Sequence, residues 1–194
     1  VVLLGQTDPL PQSSQRFLIT GASGAGKSTL RMVVSDLLDL PTVELDSLHH
    51  GPNWTRRPTF AADVDTFTAA PAWVTEWQYS SAKPLLLSRS DVLVWLDHTR
   101  WTVMHRVVRR TLRRRLLKQR LWNGNYEPPL RTVFTDPEHI IRWAWDTYQP
   151  RRREALQVGR VNDRPVVVQL SNQSQVETWI RGPLASLASA REKD

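Results

Sequence analysis

The sequence predicts an α/β protein: a parallel sheet with helices on both of its faces. Two observations lead there. Short apolar runs and stretches of helical periodicity alternate along the whole chain of 194 residues, the pattern that βα units produce. The first apolar run, "RFLIT", opens directly into a glycine-rich turn, and that turn into a helix, the order of a phosphate-binding unit. A chain this long buries one sizeable core and is marginal for two, so residues 1–194 read as one domain.

Residues 1–15, with Pro9, Pro11 and a polar "QSSQ", read as an irregular leader. "RFLIT" is the first strand and ends at Gly21. In "KSTLRMVVSDLLDL", Leu30, Val33, Val34, Leu37 and Leu38 recur at helical spacing, and Pro41 stops the helix. "TVELD" is the second strand, "GPNWTRRP" a loop, and "TFAADVDTFTAA" a helix closed by Pro71. "AWVTEW" is the third strand. "SSAKPLLLSRS" is a short helix with Pro84 near its start, where proline is tolerated. "DVLVWLD" is the fourth strand and the clearest. "TRWTVMHRVVRRTLRRRLL" is a long basic helix, followed by a turn-rich "NGNYEPP". The next helix is expected to start with Asp136 as N-cap and Pro137 in its first position. "RPVVVQL" is the fifth strand, and "SQVETWI" begins a last helix ahead of a tail, 182–194, expected to fray.

Composition narrows the function classes. There is no cysteine, which excludes a disulfide scaffold and a thiolate metal site. "VVLL" at the start is too short for a signal sequence, and no apolar run approaches the roughly 18 residues of a membrane span. The expectation is a cytoplasmic protein with no membrane partner. The net charge of +7 favours a polyanionic ligand. Nine Arg or Lys and no acid lie between Arg100 and Arg120, and "RRR" follows at Arg151–Arg153. Part of this charge is the polar face that any amphipathic helix needs.

"GASGAGKS" is a Walker A phosphate loop: Gly21, four residues, then Gly26, Lys27 and Ser28. Its glycines let the backbone curl so that N–H groups converge on phosphate oxygens, and the following helix adds its positive end. The spacing assigns Gly21, Ala22, Ser23, Gly24, Ala25, Gly26, Lys27, Ser28 and Thr29 to a nucleoside triphosphate, ATP. Lys27 reaches the β- and γ-phosphates, and Ser28 offers its hydroxyl to Mg²⁺. A guanine-reading Asn-Lys-x-Asp motif is absent from the sequence.

Asp46 ends the predicted second strand, and ligands of a doubly wound sheet sit beyond the carboxyl ends of strands. It could serve an acceptor hydroxyl or simply cap the next segment. His49 and His50 are adjacent, so their side chains diverge and make a weak metal pair. Trp54 could wall a pocket or belong to the core. A search for four apolar residues followed by an acid picks Asp97 for the Mg²⁺ shell, with Glu76 as its competitor.

The chain resembles the adenylate-kinase-like P-loop kinases, and among them is most similar to the small proteins labelled DNA topology modulation proteins. The residues that carry this are "GASGAGKSTL", "ELDSLHHGPNW", "DVLVWLD", "RVVRRTLRRRL", "LWNGNYEP" and "IIRWAW", and the likeness spans about Phe17 to Ile180. "LHHGPNW" and "LWNGN" are more specific than the phosphate loop. The resemblance implies a three-layer P-loop NTPase fold whose five parallel strands, counted in chain order, lie 2-3-1-4-5, with a helical Arg-rich lid at about 100–150.

It also implies roles. The third strand lies beside the phosphate-loop strand, which puts Glu76 over the Mg²⁺ shell. Here "TEWQY" stands where the family more commonly has "DGNY", one methylene longer at the acid and with Trp77 in place of a glycine. An acid at position 46 binds the acceptor hydroxyl. Lid arginines neutralise charge on the phosphates in transfer; Arg110 and Arg114, one helical turn apart, and Arg142 in the next helix are the expected ones. "NGN" at Asn123–Asn125 suits a tight turn in the lid. The expected activity is transfer of the γ-phosphoryl group of Mg²⁺·ATP to a nucleotide or small hydroxylated acceptor by Lys27, Asp46, Glu76 and these arginines, in a monomer or homodimer. The rivals are a P-loop protein whose basic helix grips nucleic-acid phosphate, and a nucleotide-binding regulator without turnover.

Overall fold

The computed structural model describes residues 3–117, 130–133, 135–136, 139–161 and 165–191. The lid turn expected at Asn123–Asn125 lies outside the described residues. In chain order the elements are β1 (Leu3–Leu4), β2 (Arg16–Gly21), α1 (Lys27–Leu38), α2 (Leu45–His49), α3 (Phe60–Thr68), β3 (Trp73–Glu76), α4 (Lys83–Arg89), β4 (Val92–Leu96), α5 (Arg100–Leu116), α6 (Ile140–Val161), β5 (Val166–Leu170), α7 (Gln173–Trp179) and α8 (Ala185–Arg191). Short 3₁₀ turns at Pro52–Trp54 and Leu130–Val133 and a π-helical turn at Ile180–Leu184 complete it.

The sheet is five-stranded and all-parallel, ordered β1-β5-β4-β2-β3. This differs from the expected order at both edges. The "TVELD" segment is not a strand. Thr42, outside any strand, makes one parallel bridge to Val74 of β3; then Ser47 Oγ donates to the Glu44 carbonyl at 2.7 Å and the chain turns into α2. A local side-chain bond has displaced a ladder. Asp46 therefore lies in the first turn of α2 rather than at a strand end. At the other edge the leader is not wholly irregular, since Leu3 and Leu4 pair with Val167 and Val168.

Strand pleating sends alternate residues to opposite faces, and each face has its own core. Phe17, Ile19, Val74, Val94, Leu96 and Val168 pack with α1, α5 and α7. Leu18, Trp73, Leu93, Trp95 and Val167 pack with α3, α4 and the C-terminal half of α6. Thr99 caps α5 by accepting from the Thr102 N–H, and Asn172 caps α7 by accepting from the Gln175 N–H at 2.9 Å. The helix expected from Asp136 begins at Ile140. Residues 182–191, assigned to a fraying tail, are helical: Leu187 is buried, and Arg191 donates to the carbonyls of Leu38 and Ser14.

Candidate active site

The phosphate loop leaves β2 and returns as α1. Gly24 (φ 83°) and Gly26 (φ 101°) lie in the left-handed region that favours glycine. Gly24 is excluded from any other residue by contact as well: a Cβ there would stand 2.6 Å from Val107 Cγ2 and 3.0 Å from the Val103 carbonyl on α5. Gly26 caps α1 without any side-chain hydrogen bond, which leaves first-turn N–H groups turned to the loop, the condition for an anion site at a helix start.

Glu76, at the end of β3, is the hub beneath the loop. Its Oε1 accepts from Ser28 Oγ at 2.7 Å and lies 3.8 Å from Arg31 Nε; its Oε2 is 3.9 Å from Lys27 Nζ. Lys27 also donates to the Ala22 carbonyl at 3.3 Å. Lys27, Arg31 and the Glu76 carboxylate are buried, while Ser28 stands exposed at the start of α1. Burial pulls the Lys27 ammonium below its ordinary value, and the Glu76 carboxylate opposes that shift. Arg31 is fixed from behind by a hydrogen bond to Thr42 Oγ1.

Asp97, the competing acid, points elsewhere. It receives both Arg152 Nε (2.8 Å) and Nη2 (3.1 Å), with Gln169 Nε2 at 2.8 Å. The bidentate guanidinium holds it on the α6 side of the sheet.

A cavity of about 590 Å³ opens over the loop, lined by Gly24–Thr29 on one side and by Arg106, Arg110 and Arg114 of α5 on the other. Arg110 Nη2 donates to Ser23 Oγ at 3.3 Å and Arg106 Nη1 to the Ala25 carbonyl at 3.3 Å. The structure thus brings together the loop residues, Glu76, Arg110 and Arg114. It does not bring Arg142 there: that side chain is half exposed and pairs with Asp146 one turn along α6, at 3.8 Å. The α6 arginine that does reach the site is Arg151. Its guanidinium lies over the Trp143 ring at 4.4 Å, and its charge bears on Lys27, Asp46 and Glu76. Burial lowers its pKa, with Glu154, Asp46 and Glu76 opposing. In the sequence Arg151 stands only as the first residue of the basic run Arg151–Arg153. The signal that finds it is helical phase: it lies seven residues after Ala144 and four before Ala155, both fully buried.

Asp46 sits at the head of an aromatic cluster. Its Oδ1 accepts from Tyr79 OH at 2.5 Å and from Gln78 Nε2 at 2.8 Å. His50 Nε2 is 3.1 Å from the same Tyr79 oxygen. The Tyr79 ring stacks on His49 with centroids 4.0 Å apart and meets Phe60 edge-on; Trp54 stands edge-on to His50. Burial, followed by the Asp46 carboxylate, pushes the Tyr79 phenol far above its ordinary value. Tyr79 and Trp54 both hold positive φ, 63° and 58°, a strained setting for side chains of this size. Gln78 and Tyr79 went unremarked in the sequence, although polar residues just past the carboxyl end of a buried strand carry that signal.

Among the described residues no group of three or more His, Cys, Asp or Glu could hold a metal ion. One hydroxyl and one carboxylate beside a phosphate loop nonetheless suit Mg²⁺, which keeps several waters and takes phosphate oxygens instead of using an all-protein cage. Among the described residues no helix is long and apolar enough to cross a membrane.

No protein-family model matches the sequence, and no curated protein matches it. Solved structures do match. A gluconokinase from Sinorhizobium meliloti 1021 aligns with a TM-score of 0.52 at 18% identity, covering 94% of this chain and 97% of that one. A shikimate kinase from Acinetobacter baumannii, solved with shikimate, gives 0.50 at 16% identity over 94% and 93%. The shikimate kinase of Aquifex aeolicus gives 0.50 at 14% identity over 92% and 99%. The fold of this chain is that of the P-loop kinases.

Proposed function

We propose that the chain is an adenylate-kinase-like phosphotransferase that moves the γ-phosphoryl group of Mg²⁺·ATP to the hydroxyl of a small acceptor. The observation that carries this is the contact of Ser28 Oγ with Glu76 Oε1 at 2.7 Å, beside Lys27. A loop that only turned the chain would have no reason to bury an ammonium and a carboxylate together and to set an exposed hydroxyl against that carboxylate. The fold shared with small-molecule kinases supports the same reading.

In this reading the loop N–H groups and Lys27 hold the β- and γ-phosphates. Ser28 and Glu76 would hold Mg²⁺, which when bound would neutralise charge on the phosphates. Asp46 orients the acceptor hydroxyl and takes its proton as that oxygen attacks phosphorus and the bond to ADP breaks. Arg110 and Arg114 from α5, with Arg151 from α6, stabilise charge on the equatorial oxygens. Arg151 takes the role first assigned to Arg142, since Arg142 turns to Asp146. The face of α5 that carries Arg106, Arg110 and Arg114 looks onto the phosphate loop, which favours a lid over a nucleic-acid grip.

The test is ADP release from Mg²⁺·ATP across nucleosides, nucleoside monophosphates and small hydroxylated metabolites, with K27A as control. Acceptor-dependent release that K27A loses supports the reading. Salt-dependent DNA binding with no acceptor-dependent release would replace it with the nucleic-acid alternative.

A further inference from the structure

The geometry points to Tyr79, backed by His50, as the positioning residue of Asp46: it holds one carboxylate oxygen so that the other alone meets the acceptor hydroxyl. This rests on the reading of Asp46 as the acceptor's base. Oδ1 of Asp46 is occupied twice, by Tyr79 OH and by Gln78 Nε2, while among the described residues no hydrogen bond reaches Oδ2. A carboxylate pinned by two donors on one oxygen cannot rotate to present either oxygen at random, so attack geometry is set before the acceptor arrives.

The proton count fixes the direction of the chain. A phenol has one proton. Tyr79 gives it to Asp46, so its contact with His50 at 3.1 Å requires the imidazole to donate through Nε2–H. The order is His50 to Tyr79 to Asp46. Tyr79 cannot be the base itself. Burial and the nearby carboxylates of Asp46 and Glu76 favour its protonated form, with only Arg151 opposing them. The proton released by the acceptor therefore ends on Asp46 Oδ2, and Tyr79 keeps its own throughout. The strained φ of Tyr79 and its stack on His49 fit a side chain held for its hydroxyl.

The experiment has two arms on the full chain. The first measures ADP release from Mg²⁺·ATP with water as the acceptor, together with Mg²⁺·ATP affinity. Y79F keeps the ring stack and removes the hydroxyl. It should lower release about fivefold or more with ATP affinity within about twofold, and D46N should lower release about a hundredfold. H50L should lose activity in the same direction, and H50Q, which keeps an N–H donor, should recover most of it. The second arm labels the phenol carbons of the chain's three tyrosines with ¹³C and follows them by NMR against pH. The Tyr79 signal should titrate above the ordinary phenol range, and lower in D46N than in the parent. A fall in D46N without any fall in Y79F overturns the positioning role and leaves the base assignment standing. Undiminished release in D46N overturns the base assignment and this inference with it. A Tyr79 signal that titrates identically in the parent and D46N removes the hydrogen bond on which the inference stands.

Discussion

Glu76 and Asp97 flank the same strand, β2, and face opposite sides of the sheet. Glu76 ends β3 on the side of α1, against Ser28, and Asp97 follows β4 on the side of α6, against Arg152. Two acids at the ends of two apolar strands thus serve different ends, one beneath the phosphate loop and one as a clamp between sheet and helix.

That separation predicts different phenotypes. E76Q should raise the Mg²⁺ concentration needed for half-maximal ADP release at least about tenfold, roughly 1.4 kcal/mol, and lower the melting temperature as well, since Lys27 and Arg31 stay buried beside a neutral group. D97N should leave the Mg²⁺ requirement alone and cost about 2 kcal/mol of stability, because Arg152 and Gln169 lose the charged two-oxygen acceptor they share. Magnesium titrations and thermal melts of both variants check this.

In the proposed reaction Lys27 would supply fixed positive charge where the γ-phosphoryl group leaves ADP. K27A should cut turnover by about two orders of magnitude or more, on the order of 3 kcal/mol of transition-state stabilisation, while circular dichroism stays that of the parent. Unchanged phosphoryl transfer in K27A would remove the loop from the chemistry.

Gly24 and Gly26 should differ in their response to alanine. At Gly24 the new methyl meets Val107 and the Val103 carbonyl as well as a positive φ. G24A should lose stability by about 1–3 kcal/mol and bind nucleotide more weakly. At Gly26 the nearest atom is 4.0 Å away, at Arg106 Nη1, so G26A carries the φ strain alone. G24A should therefore melt below G26A, and the pair should be compared by denaturant unfolding and by nucleotide titration.

The arginines should act unequally. R110A, R114A and R151A should each lower transfer at least about tenfold, roughly 1.4 kcal/mol, whereas R115A and R142A should change it little. Steady-state ADP release alongside DNA affinity at two salt concentrations decides the matter. Equal losses of DNA affinity at positions 110, 114 and 115 with unaltered ADP release would make α5 a nucleic-acid grip.

The sheet interior was legible because β2 to β5 are short, apolar and bounded by turn residues. The edges were not. β1 is two residues long, and "TVELD" has strand-like residues but yields to the Ser47 turn that starts α2. The phosphate loop could be read residue by residue, since its spacing is its chemistry. The choice between Glu76 and Asp97 could also have been read, from pleat parity. Glu76 shares parity with Val74, in the core beneath α1, and Asp97 with Trp95, in the core beneath α6. Arg151, Gln78 and Tyr79 were harder, because their partners are distant in sequence: Asp46 lies 33 residues from Tyr79, and no local pattern announces such a pair.

The contact of Gly24 with Val107 also bears on how nucleotide is captured. With no side chain between them, the root of α5 rests on the loop. Val103, Val107 and Thr111 are fully buried, while Leu116 and Leu117 at the far end are exposed. Arg106 and Arg110 donate hydrogen bonds to the loop. On the proposed reading, the cations nearest the loop are part of the surface that a triphosphate would meet. Capture of a triphosphate by that surface should then be governed by electrostatic encounter, with an association rate that falls as ionic strength rises.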